Sequence, residues 1–215
     1  TLLVNPIQFT YKNSSKTWSG SSTNVLNTDY FSMIDYRYNP IDQGIRFADL
    51  NGDGLLDIIK ALNRAGTAGN PDPGWDQAAG NYYAVWLQTR NGTWEYNSAW
   101  REAFRSVAYA TSSLFSGWTG YNNSDYGFRL VDINADSKAD LVVSRQNYTE
   151  PCNGYATFTQ QVWINNGSSW IQDPNWQIDP NAVFTSWENT YCGGGSFVDQ
   201  GLRFADVNGD GYIDL

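Results

Sequence analysis

Oxygen-bearing side chains recur at alternate positions of three short loops. Positions 1, 3, 5 and 9 of the first loop are Asp49, Asn51, Asp53 and Asp57. The second loop carries Asp132, Asn134, Asp136 and Asp140 there, and the third carries Asp206, Asn208, Asp210 and Asp214. A tight loop turns these side chains toward one centre, together with the backbone carbonyl at position 7, which belongs to Leu55, Lys138 or Tyr212. Because Ca²⁺ prefers hard oxygen ligands of these kinds, the pattern predicts three calcium sites.

The middle loop departs from the other two. Gly54 and Gly211 at position 6 permit a sharp turn, whereas the second loop has Ser137 there and Ala135 two residues earlier. We therefore expect two strong calcium sites and one weaker middle site. The alternative is three ordinary turns with solvated acids, but three copies in register favour metal sites.

Composition excludes several kinds of function. The chain of 215 residues has no histidine, so neither a Ser-His-Asp nor a Cys-His catalytic group can form within it. The glutamates show no paired motif of the kind that glycoside hydrolysis uses, so we expect no enzyme and no catalytic residues. The net charge of -9 argues against a nucleic-acid partner and against an anionic membrane surface. No apolar run approaches the roughly 20 residues of a membrane-spanning helix, so we expect no membrane insertion.

The remaining composition indicates a secreted or cell-surface protein. Ten Trp and fourteen Tyr accompany only 16% charged residues, which is typical of an extracellular β protein with many turns. Cys152 and Cys192 are expected to form a structural disulfide in an oxidising compartment; a redox couple is the alternative, although the spacing is not C-x-x-C. Glycosylation sequons occur at Asn13, Asn91, Asn122, Asn147 and Asn166, with simple turn-forming Asn as the alternative.

Two alternating repeats organise the chain into strands. The segment 42–54 returns almost unchanged at 199–211, with a weaker copy at 127–136. An aromatic hairpin at 85–94 returns at 162–170, with a looser copy at 9–18. Each unit thus predicts a strand, an acidic loop, a second strand and a hairpin, which is a small antiparallel sheet of about four strands. We expect one domain over residues 1–215, with units of roughly 1–62, 63–145 and 146–215 and an offset that leaves the last unit incomplete.

The loop pattern resembles the FG-GAP and VCBS repeats of integrin-α-like β-propellers, lectin propellers and secreted repeat proteins. In that family such loops join two strands of a blade and bind calcium. The resemblance implies an all-β, propeller-like array of about three four-stranded blades, with long insertions between the loops. The pattern differs from an EF-hand, because position 12 is Lys60 in the first loop and Val143 in the second, where an EF-hand has Glu.

Arginines and tryptophans recur with the repeats. Arg46, Arg129 and Arg203 each precede an acidic loop by three residues, which favours structural pairing with the loop carboxylates over ligand binding. The recurring Trp18, Trp94 and Trp170, together with Trp86 and Trp163, are expected to form the core between blades. The non-repeated Trp75, Trp100, Trp118, Trp176 and Trp187 are the better candidates for stacking on sugars.

The order of the elements favours assembly. The segment Thr1, Leu2, Leu3 and Val4 resembles the strand that follows the second loop, so it could complete the last blade. This strand could close a ring within one chain, the chain could be part of a longer protein, or the strand could join the next copy. A head-to-tail contact that does not close produces a filament. We therefore expect a structural subunit of a calcium-stabilised homopolymer, with a glycan-binding or adhesion module as the alternative.

Overall fold

A computed structural model describes residues 32–34, 40–63, 75–76, 81–111, 115–118, 123–148, 156–191 and 194–215. These ranges hold one helix, α1 (Ser98–Thr111), and fifteen strands. The strands are β1 (Ser32–Ile34), β2 (Pro40–Asp42), β3 (Ile45–Ala48), β4 (Asp57–Asn63), β5 (Trp75–Asp76), β6 (Asn81–Gln88), β7 (Trp94–Tyr96), β8 (Ser116–Trp118), β9 (Asn123–Ser124), β10 (Phe128–Val131), β11 (Asp140–Tyr148), β12 (Ala156–Asn165), β13 (Trp170–Gln172), β14 (Thr185–Tyr191) and β15 (Gly194–Asp199). The fold is therefore mostly β, as the sequence predicts.

Two sheets are built on the same plan, and we call the first sheet with its acidic loop the first unit and the second sheet with its acidic loop the middle unit. In the first, β3, β4, β6 and β7 are joined in that order by antiparallel pairing. In the second, β10, β11, β12 and β13 follow the same order. The first and middle acidic loops each join the first two strands of such a set. A closed propeller is not seen in the described part of the chain.

A further hairpin extends each sheet by parallel pairing. The end of β4 pairs with β8, where Leu62 is opposite Ser116, and β8 in turn pairs with β9. The end of β11 pairs in the same way with β14, where Arg145 is opposite Thr185. Each hairpin precedes the next acidic loop in the chain, so it connects one repeat unit to the following one.

The third unit, which contains the acidic loop from Asp206 to Asp214, has a single pair of bridged residues in place of two paired strands. Ala205 and Asp214 form an isolated antiparallel bridge across that loop. Their backbone groups exchange two hydrogen bonds of 3.1 and 2.8 Å. The third loop is thus closed at its base as the first two are.

Helix α1 packs between the two sheets. The connector after β7, where the sequence allows a short helix, begins this helix with Asn97, whose Oδ1 accepts a hydrogen bond from Trp100 N at 3.0 Å. The buried residues follow a helical spacing, and Phe104 stacks on Phe115 with ring centres 5.3 Å apart. One apolar core includes residues of both sheets and of α1. No helix among the described residues is long and apolar enough to cross a membrane.

Candidate metal centre

The three acidic loops share one backbone conformation. Positions 4 and 6 of each loop lie in the left-handed region that favours glycine. The φ angles are 79° and 82° at Gly52 and Gly54, and 77° and 87° at Gly209 and Gly211. The middle loop reaches 61° at Ala135 and 70° at Ser137 without any glycine. This conformation costs a non-glycine residue about 1 kcal/mol. The middle loop therefore adopts the same backbone conformation as the other two loops despite the unfavourable φ angles of Ala135 and Ser137.

The carboxylate at position 1 holds each loop together. In Asp49, Oδ1 accepts a hydrogen bond from Gly52 N at 2.7 Å and Oδ2 accepts one from Gly54 N at 2.8 Å. Asp132 and Asp206 accept the bond from position 6 at 2.8 and 3.0 Å. The same turn is therefore built three times with the same side-chain contact.

The aspartate at position 9 connects its loop to a neighbouring strand. In Asp57, Oδ2 accepts a hydrogen bond from Leu50 N at 2.9 Å, and Oδ1 accepts one from Gln88 N at 2.8 Å. Asp140 makes the corresponding two bonds in the middle unit, and both carboxylates are 0% exposed. Sequence reasoning assigned these residues to metal alone and missed this structural role.

The burial of these two carboxylates changes their acidity. Desolvation raises the pKa of Asp57 and of Asp140 from the ordinary 3.8 to about 6, and the accepted backbone hydrogen bonds oppose that rise. The carboxylates at positions 1 and 5 raise the pKa further by repulsion. Both side chains are mainly ionised at neutral pH, which is the form that binds a cation.

A lysine lies within the middle loop. Nζ of Lys138, at position 7, is 2.9 Å from Oδ2 of Asp136. In the first loop the corresponding oxygen, Oδ2 of Asp53, accepts a hydrogen bond from Asn51 Nδ2 at 3.0 Å instead. A bound cation would have to share its carboxylate with this ammonium group, which supports the expectation of a weaker middle site.

Replacing this lysine should strengthen the middle site. We expect Lys138→Leu, which introduces the residue of the first loop, to raise the calcium affinity of the weakest site about tenfold by removing a repelling charge. Isothermal titration calorimetry would measure the change. Arg90→Leu, which removes an exposed positive charge outside the loops, is the control and should leave all affinities unchanged. Equal effects of the two substitutions would contradict a local role for Lys138.

The oxygen ligands of each loop are of the kinds that Ca²⁺ binds. The acidic side chains of the described residues, however, do not converge on one point. Each loop offers carboxylate, amide and backbone carbonyl oxygens, the donors that Ca²⁺ takes. Among the described residues, no three acidic side chains converge closely enough to form a metal site. Instead, the carboxylate at position 1 is turned onto the amides of its own loop. Calcium binding therefore stays a prediction.

The first two loops meet at the boundary between units. Ala139 N, at position 8 of the middle loop, donates a hydrogen bond to Asp49 O at 2.8 Å. Nδ2 of Asn165 donates to Leu50 O at 2.8 Å. The first loop therefore docks against the middle unit.

Three predicted glycosylation sites lie among the described residues. Asn91 and Asn166 are exposed in the turns that follow β6 and β12, where a glycan would point outward. Nδ2 of Asn147, in contrast, is half-buried and donates a hydrogen bond to Thr159 across β11 and β12 at 3.0 Å, so it is less accessible to a glycan than Asn91 or Asn166. Outside the described residues lie Asn13, Asn122, both cysteines and the proposed assembly strand of Thr1, Leu2, Leu3 and Val4.

The environments of the non-repeated tryptophans differ in part from those that the sequence predicts. Trp100 is only 5% exposed and meets Trp170 at 4.9 Å between ring centres, so its assignment to sugar stacking is wrong. Trp187 packs edge-on against Phe197 at 5.1 Å. Trp176 is 41% exposed. The side chains of Trp75 and Trp118 are outside the described part of the structure.

The recurring arginines pair with aspartates that sequence reasoning missed. Arg46 lies 2.6 Å from Asp42, and Arg129 and Arg203 make the corresponding ion pairs with Asp125 and Asp199. The expected pairing with the loop carboxylates is therefore replaced by one with the aspartate four residues earlier. The repeated spacing of Asp, Gly and Arg was the signal that could have found it.

Comparison with known proteins gives one distant similarity. The chain is 28% identical over 172 residues to a curated protein named T-cell immunomodulatory protein homolog from Plasmodium falciparum (isolate 3D7). The match covers 78% of this chain and 18% of that protein, so the chain spans a small part of this relative. No protein-family model matches the chain, and no solved structure matches it.

Proposed function

We propose that this chain is a structural subunit of an extracellular, calcium-stabilised and N-glycosylated assembly of FG-GAP-like, propeller-type repeats. The observation that carries the proposal is the threefold repetition of one loop conformation with one set of oxygen ligands. The middle loop keeps that conformation even with Ala135 and Ser137, which favours a common ligand over ordinary turns.

Calcium would act here as a structural ion. The first and middle loops each connect two strands, and the third connects the two residues of a β-bridge. The first loop also contacts the following unit through Asp49 and Leu50. An ion held by the loop would neutralise its carboxylates and fix this contact. The chain has a net charge of -9, and neutralising the loops would reduce repulsion between units.

Copies of the chain would join head to tail. The sequence supports a role for Thr1, Leu2, Leu3 and Val4 as a strand added to the last loop of another copy. Strand β11, which this segment resembles, follows its loop and pairs with strands on both edges. An added strand would give the third unit the same pairing.

Electron microscopy of the purified chain tests this proposal. We expect filaments in millimolar calcium and discrete particles after calcium is removed with EDTA. The same sample in magnesium is the control, because Mg²⁺ demands a smaller, more regular shell and should not replace Ca²⁺. A single monomeric species in calcium, at every concentration tested, would overturn the assembly.

A glycan-binding or adhesion module is the second candidate. The exposed ring of Trp176 favours it, because aromatic faces bind sugars and other apolar surfaces. Binding of the calcium-loaded chain to a glycan array, lost in Trp176→Ala, would favour this candidate.

A further inference from the structure

The contact between the first two units has two complementary halves. The docking half is the start of the first loop, where the carbonyls of Asp49 and Leu50 accept hydrogen bonds. The receiving half belongs to the middle unit and includes Ala139, Asn165 and Trp170. Trp170 completes this half, since its Nε1 donates to Ala139 O at 3.0 Å. Leu50 is 0% exposed in this contact, so the two halves enclose an apolar side chain.

The first unit presents a receiving half that lies open. Leu56, Gln88 and Trp94 stand at the positions of the three receiving residues, and we call them the receiving face. Nε1 of Trp94 donates to Leu56 O at 3.0 Å, the same bond that the middle unit makes. Leu56 is 56% exposed, whereas its counterpart Ala139 is 7% exposed. The receiving face thus already has the tryptophan hydrogen bond of the internal contact, but the Leu56 side chain at its centre is exposed to solvent.

A side chain occupies the hydrogen-bonding position of the open face. Ala139 N donates to a carbonyl of the preceding loop, but Leu56 N donates to Oε1 of Gln88 at 3.2 Å. The Gln88 amide thus stands where a docked loop would place its carbonyl. Rotation of this side chain would free Leu56 N and turn an amide donor toward the incoming loop.

The third unit presents the open docking half. Asp206 and Val207 correspond to Asp49 and Leu50, and we call them the docking loop. Val207 is 80% exposed, against 0% for Leu50. Val207 therefore lacks the cover that Leu50 has at the corresponding position of the internal contact.

The arginine beside the docking loop shows the same difference. The guanidinium of Arg46 lies 5.3 Å from the ring centre of Phe115, and that of Arg129 lies 4.9 Å from Phe184. Each ring directly precedes the hairpin that connects its unit to the following one. The side chain of Arg203 is 60% exposed, against 32% for Arg46, so it lies where an aromatic ring of a further unit would cover it.

We propose that the docking loop of one copy of this chain binds the receiving face of a second copy. The contact would repeat the one between the first two units, with Val207 covered by Leu56 and the carbonyls of the docking loop bound by Leu56 N and Gln88. This inference rests on the proposed head-to-tail assembly and defines its contact surface. The occupant is a second copy because the chain carries both halves of an interface that it already forms internally.

Calcium should control this contact. In the internal contact the stem of Lys138 lies against Gly52 of the first loop, so a lysine stands between two acidic loops. The residue at that position of the receiving unit is Leu55, which has no charge. An empty docking loop would bring uncompensated aspartates toward Asp53, so we expect the copies to dock only when calcium is bound.

Two single substitutions and their mixture test the contact. Val207→Asp damages the docking loop, and Leu56→Asp damages the receiving face, while each chain keeps its other half. In sedimentation velocity with millimolar calcium, we expect the unchanged chain to form long oligomers and each variant alone to stay monomeric. A mixture of the two variants should form dimers and nothing longer, because only one intact pair of halves remains.

The control and the melting temperatures separate the possible outcomes. Ile171→Asp changes a residue that is 58% exposed outside both halves, and it should assemble normally. Unchanged melting temperatures in calcium would show that both variants fold. Long oligomers formed by either variant alone would overturn this interface while leaving the assembly itself standing. An unchanged chain that stays monomeric would overturn the assembly and this interface together.

Discussion

Removal of calcium with excess EDTA is expected to lower the melting temperature of this chain by more than 10 °C. Binding to the folded state alone adds about 2.7 kcal/mol per site when free calcium is one hundred times the dissociation constant. For a chain of this size, roughly 2–4 °C is lost per kcal/mol, so each occupied loop accounts for roughly 5–10 °C. Scanning calorimetry in calcium and in EDTA would measure the difference.

Variants assign this effect to the loops. Asp206→Asn, in the third loop, should reduce the difference in melting temperature between calcium and EDTA by the amount that one occupied site contributes. Glu95→Gln, which removes one exposed acid outside the loops, should leave the shift unchanged. Identical melting temperatures with and without calcium would remove the calcium assignment, and with it the main support for the proposed function.

The difference in melting temperature between calcium and EDTA should depend on pH, because the carboxylates of Asp57 and Asp140 are buried. The pKa of Asp57 and of Asp140 is about 6 in the metal-free fold, against an ordinary 3.8. The folded state therefore holds protons that the unfolded state has released, and the stability from these groups is lost as the pH rises from about 4 through about 6. Calcium requires the ionised form, so its stabilisation grows over the same range. The EDTA-induced shift should accordingly be larger at neutral pH than at about pH 5.

Local sequence patterns predicted the loops and the strands beside them. Oxygen-bearing residues at alternate positions, repeated in register, indicate three turns of one kind, and all three have the same signs of φ at positions 4 and 6. The alternating aromatic hairpins likewise predict β6 with β7 and β12 with β13, which pair as antiparallel strands. Such features depend on neighbouring residues, so a single sequence contains them.

Features that depend on distant partners were harder to predict. The parallel pairing of β8 with β4 involves two residues on each strand, and no local pattern marks it. Trp100 was misassigned because an isolated aromatic in an insertion can equally face solvent or a neighbouring sheet, and here it packs on Trp170. The side-chain environment of Asp57 was missed for a related reason. A carboxylate that fits a metal pattern can also accept hydrogen bonds from a strand more than thirty residues away, such as the bond from Gln88 N.

Asp140→Ala is expected to destabilise the fold even in EDTA, by about 3–4 kcal/mol or roughly 10 °C, because it leaves one buried and one half-buried backbone donor without a partner. These donors are Ile133 N at 3.1 Å and Asn165 N at 2.7 Å. The damage should spread to the neighbouring unit, since the Asn165 side chain also binds Leu50 O. Urea unfolding in EDTA would measure the loss.

The matched control is Asp132→Ala, at position 1 of the same loop. Its carboxylate accepts hydrogen bonds from exposed loop amides, which water can satisfy after the substitution. We therefore expect a loss below about 1 kcal/mol in EDTA, although calcium stabilisation of that loop should vanish in both variants. Equal losses in EDTA would contradict the separation between a ligand at position 1 and a structural carboxylate at position 9. The predicted order follows from burial, since both residues are the same amino acid in the same metal pattern and only one of them lies inside the core.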